Sequence, residues 1–127
     1  MNKKLQNIKD IVEKFNLQNR KWKSERSIIY SDNGSHVIKN PFTDSVEFKL
    51  INEKLYIVEV IKNVSIYNGE EFVSYSYDNK SCLDKIIERG IDVRFDYAAP
   101  IDKPATIIIT YNDKNKKLLE WSIVEKS

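Results

Sequence analysis

Beyond Trp22 the apolar residues alternate with polar ones in short runs that are cut by turn signals. Period-two alternation is the spacing of a strand with one buried face, and it confines most of this chain to β-structure. Ser27–Tyr30 and His36–Ile38 flank Asn33-Gly34, a pair that tolerates positive φ and predicts a tight hairpin. Val46, Phe48 and Leu50 alternate, Asn52-Glu53-Lys54 turns, and Leu55–Ile61 runs back. That last run is mainly apolar on both faces, which predicts an interior strand. Val64–Tyr67, Asn68-Gly69 and Phe72–Tyr77 predict a third hairpin. Ile91–Tyr97 alternates cleanly, and Thr106–Tyr111 and Leu118–Val124 flank a polar turn at 112–116.

Two segments depart from this period. Leu5, Ile8, Ile11, Val12 and Phe15 fall at helical spacing, so residues 3–16 predict an amphipathic helix with one buried stripe. Ser81 followed by Asp84 resembles a capping box, with Leu83, Ile86 and Ile87 as the buried face of a short helix over 81–89 and Gly90 as its stop. Short turns between consecutive strands predict antiparallel neighbours. The expected fold is α+β: a single curved, mostly antiparallel sheet of about seven or eight short strands. The N-terminal helix should pack on one face, with the short second helix covering an edge or end. Ile8, Val12, Phe15, Phe48, Val58, Phe95, Ile107 and Trp121 are the expected core.

The 127 residues are expected to form one domain, and 41% hydrophobic with 31% charged residues is the composition of a globular chain. Lys9, Asp10, Glu13 and Lys14 interrupt the N-terminal segment, so a signal peptide is not expected, and no run nears the roughly 18 apolar residues of a membrane span. A lone cysteine suits a reducing compartment, and the expected location is the cytoplasm. The net charge of +2 is uneven: residues 1–26 carry eight basic and three acidic side chains.

One His (His36) and one Cys (Cys82) leave little material for metal sites or nucleophile–base pairs, so neither catalysis, nor a metal, nor a cofactor is expected. His36 beside Asp32 reads as a surface histidine, and Cys82 at the start of a helix as a small buried residue. Tyr75 and Tyr77 sit on one strand, and Asp92, Arg94 and Asp96 share one face of another. Tyr and Arg are enriched at binding hot spots, so these five are the expected partner-binding residues. The alternative is a nucleic-acid arm formed by Arg20, Lys21, Trp22, Lys23 and Arg26, an aromatic among cations.

Together these features predict a non-enzymatic protein that binds another protein, as a monomer or weak dimer. Its size and residue set, and a composition in which Lys, Ile and Asn supply 46 residues, suit an immunity protein or antitoxin that neutralises a bacterial toxin domain. The alternatives are a phage-encoded inhibitor of a host defence protein, or nucleic-acid binding through the basic segment.

Overall fold

The computed structural model describes residues 2–31, 34–38, 43–113 and 118–126, and their side chains except at 26, 27, 29–31, 34–38, 43, 44 and 76–79. Helix α1 (Lys3–Lys14) begins where Asn2 accepts a hydrogen bond from the Leu5 amide at 3.1 Å, and it ends before Asn16, which takes the left-handed conformation. A one-turn helix at Leu17–Asn19 leads into β1 (Trp22–Ser31), β2 (Gly34–Ile38), β3 (Thr43–Ile51), β4 (Lys54–Tyr67) and β5 (Glu70–Cys82). Helix α2 (Leu83–Glu88), β6 (Asp92–Ala98), β7 (Thr106–Asn112) and β8 (Leu118–Glu125) follow. Among the described residues the eight strands form one open antiparallel sheet in the order β5-β4-β3-β1-β8-β7-β6, with β2 paired to β1. No helix of the described residues is long and apolar enough to cross a membrane.

The curvature is measurable from ring contacts. Four strand spacings separate β3 from β6 in that order, about 19 Å in a flat sheet. Yet the rings of Phe48 (β3) and Phe95 (β6) lie 5.9 Å apart, edge to face. The sheet therefore coils until its concave face meets itself. Trp22, Val46, Phe48, Leu55, Ile57, Val93, Phe95, Ile107, Ile109, Trp121 and Ile123 fill that interior, joined by Ile8 and Val12 from α1 and Leu83 from α2. Among the described residues the end strands β5 and β6 do not pair; α2 connects them and packs on β4 and β6.

Three expectations need correction. Phe15 is 39% exposed and not core: it stands past the last helical turn, its ring 4.6 Å from that of Tyr97. Val64–Tyr67 is no separate strand but the end of the 14-residue β4, and β5 has 13 residues, so two strands are long. Ser81 does not cap α2; it belongs to β5, and Cys82 occupies the cap position without a side-chain bond.

Asp84 instead serves the tertiary structure. Its carboxylate accepts from the Leu55 amide and from Lys9 Nζ, both at 2.8 Å, while Lys9 also donates to the Glu53 carbonyl at 2.5 Å. Both side chains are largely buried. A carboxylate removed from water requires such partners, and here they tie α1, α2 and the β3–β4 turn together.

At Tyr111, on β7, burial holds the phenol above its ordinary value near 10, and the charge of Glu59 on β4 adds to the shift. A raised folded pKa contributes stability that is whole below the unfolded value. It is lost as pH rises through about 10 towards the folded value. Urea midpoints should fall in alkali for the native chain and less steeply for Tyr111→Phe. Parallel pH dependences in the two proteins would contradict this assignment.

Candidate functional site

Strand β4 outruns its neighbour. Its pairing with β3 stops at Ile61, opposite Thr43, whereas its pairing with β5 continues from Lys62↔Tyr75 to Tyr67↔Glu70. Six opposed pairs thus form a two-stranded arm projecting about 17 Å beyond β3. Asn68 (φ 51°) and Gly69 (φ 80°) close it in a turn that requires positive φ at both central positions. A Cβ at Gly69 would meet no atom within 4 Å, so the conformation and not lack of space calls for glycine.

The arm carries apolar side chains that no layer of the described residues covers. Ile66 is 75% exposed, Tyr67 69%, Tyr75 56% and Phe72 50%, with Val64 and Val73 exposed beside them. Opposed residues of a hairpin share a face. The register therefore places Lys62, Val64, Ile66, Glu71, Val73 and Tyr75 on one side and Asn63, Ser65, Tyr67, Glu70, Phe72 and Ser74 on the other. The first side is an apolar strip with one charge at each end. Such a patch on a two-stranded arm has the marks of an interaction surface, since folding alone gives no reason to leave it in water.

The expected partner-binding residues separate in the structure. Tyr75 belongs to the arm; Tyr77 follows it on β5, within the register shift between Ile61↔Ser76 and Glu59↔Asn79, and its side chain lies outside those described. Asp92, Arg94 and Asp96 lie on β6, the other terminal strand of the sheet. There Arg94 Nε bonds Asp96 Oδ2 at 2.9 Å and Asp92 pairs with Lys4, all well exposed. Solvated pairs of this kind add little, and they leave β6 a charged outer face over buried Val93 and Phe95. Tyr75 and the three charged residues thus stand on opposite terminal strands of the sheet. Ile66, Phe72, Val64 and Val73 escaped the sequence reading. A signal existed: only Lys62-Asn63, without Gly or Pro, separates Ile61 from Val64, and a strand of 14 residues exceeds what one core usually covers.

The basic segment is altered more sharply. Trp22 is fully buried, its Nε1 donating to the Leu17 carbonyl at 3.1 Å, so its ring has no face for a base to stack on. Arg20 donates to Glu125 through Nε at 3.0 Å and to the Tyr97 hydroxyl at 2.8 Å, with its guanidinium 5.0 Å from the Trp22 ring centroid. Hydrogen bonding from Arg20 holds the Glu125 carboxyl below the usual range. Lys21 and Lys23 remain exposed, and the Arg26 side chain lies outside those described.

His36 sits on β2 opposite Ile29 with its side chain outside those described, and Cys82 is buried. The described residues place no three His, Cys, Asp or Glu side chains together as a metal site. A groove beside α1, lined by Leu5, Gln6, Lys9, Glu13 and Leu50, has its polar side chains largely engaged: Gln6 bonds Asp10 and Lys9 bonds Asp84. No protein-family model matches the chain, and neither a curated protein nor a solved structure matches it.

Proposed function

We propose that this protein acts without catalysis, by inserting its β4–β5 arm into a concavity of another protein and blocking that partner's activity. The observation that carries the reading is the uncovered apolar strip of Val64, Ile66, Val73 and Tyr75 on an arm only two strands wide. A narrow hairpin fits a cleft that a broad sheet face cannot enter, and its side chains supply desolvated contact area on both sides. Such a blocker suits the role of an immunity protein against a toxin domain, encoded beside its target, or of a phage inhibitor of a defence protein.

A photoreactive phenylalanine analogue in place of Tyr67 should capture the partner in the native cell. With that partner purified, Ile66→Asp should weaken binding by at least about 2 kcal/mol, near thirty-fold, because it puts a charge into the desolvated centre. Arg94→Ala on β6 should change affinity less than about three-fold. The reverse ranking would overturn the reading. So would tight RNA or DNA binding with a steep salt dependence that vanishes on neutralising Lys21 and Lys23.

A further inference from the structure

We infer that, in the absence of a partner, the apolar side of the arm is covered by a second copy of this chain, packed face to face and antiparallel about a two-fold axis. The inference extends the reading of the arm as a docking surface and does not require a heterologous partner. It rests on the arrangement of six side chains. Lys62 and Tyr75 are opposed at the base of the strip, Val64 and Val73 at its middle, and Ile66 and Glu71 near its tip. The two charges therefore occupy diagonal corners, of opposite sign and at opposite ends.

A two-fold interface uses the same patch on both copies, so the patch must complement itself. In antiparallel packing the base of one arm covers the tip of the other. This brings Lys62 of each copy towards Glu71 of its mate, twice, with Val64 and Val73 about the axis. A parallel arrangement would set tip on tip and bring Glu71 of both copies together, which like-charge repulsion opposes. Face-to-face packing also leaves the slight diagonal offset that twisted ribbons prefer.

The size of the patch sets the strength. The exposed fractions of Val64, Ile66, Val73 and Tyr75 leave roughly 400 Å² of apolar surface, the scale of the largest patch on an ordinary monomer. Two such faces with their polar rims bury about 1,000 Å² in total, at the weak end of specific interfaces. The dimer is therefore one that assembles at high-micromolar concentration and yields the arm to a tighter partner by mass action.

Sedimentation velocity of the full chain, from low-micromolar to near-millimolar concentration, tests this. The native protein should shift from monomer to dimer, and Ile66→Asp should remain monomeric with unchanged circular dichroism. Lys62→Glu and Glu71→Lys should each weaken association about ten-fold, since each sets like charges together, and the double reversal Lys62→Glu/Glu71→Lys should restore it. A native protein that stays monomeric throughout would overturn the inference, as would a dimer indifferent to Ile66→Asp or a double reversal that fails to restore association. Capture of a partner by the arm in a strictly monomeric protein would reject the self-association and leave the proposed function standing. A dimer with these charge effects but no captured partner would do the opposite.

Discussion

Replacing Phe48 by Ala is expected to remove about 3–5 kcal/mol of folding stability, the largest loss from any single truncation in the interior. The ring is fully buried and makes edge-to-face contacts at 5.9 Å with both Trp22 and Phe95. It stands where the concave face closes on itself, so its loss opens a cavity that no single strand can collapse into without flattening the sheet. Against a usual total of roughly 5–15 kcal/mol, the variant would be marginal at best. Phe48→Leu retains most of the volume and should cost about half as much. Urea unfolding of both variants is the measurement. A cost below about 1 kcal/mol for Phe48→Ala would mean that the curvature does not depend on this ring.

Asp84→Ala should come next, at about 2–4 kcal/mol. The substitution leaves the Leu55 amide without its acceptor and Lys9, 17% exposed, without its counter-charge. Asp84→Asn keeps an acceptor for the amide but no charge for Lys9, and should fall between the native protein and the alanine variant. The pair Lys9→Met/Asp84→Leu should recover much of the loss, since an apolar pair of similar volume makes no demand for partners. Unfolding free energies of the native protein, Lys9→Met, Asp84→Leu and the pair form a double-mutant cycle. Additive losses would show that Lys9 and Asp84 do not act together.

The arm stands apart from these effects. Ile66→Asp should leave stability nearly unchanged while abolishing contact, because Ile66 already faces water in the free chain. Residues that maintain the fold and residues proposed to meet another molecule thus lie in different places, which is what makes the proposed function separable by mutation.

Local chemistry was legible in the sequence. The helical stripe of Ile8 and Val12, the hairpin turn at Asn68-Gly69 and the alternation of Val93, Phe95 and Tyr97 all follow from steric preferences acting over a few residues. They led to a curved antiparallel sheet with two helices, and that is the architecture found. The partner of each edge was not legible. Strand β1 lies at the centre because Trp22–Tyr30 pairs with Leu118–Glu125 from the far end of the chain. Nothing within a few residues of Trp22 specifies that match. It follows from burying both strands' apolar faces in one concavity, a non-local condition.

The same condition decided which candidates remained available for function. Composition made Trp22 among four cations resemble a nucleic-acid arm; the closing of the sheet took Trp22 into the core and engaged Arg20 with Glu125 and Tyr97. Asp84, read as a helix cap, became the acceptor for Lys9 and Leu55 once α1 and α2 met. Val64 and Ile66 were legible as one arm of a hairpin, and only the point where β3 ends left them in solvent. Hydrophobic periodicity records which face of a strand is apolar, because that depends on neighbours two residues away. Whether anything covers that face depends on how far the neighbouring strand extends, and this is settled by the packing of the whole chain.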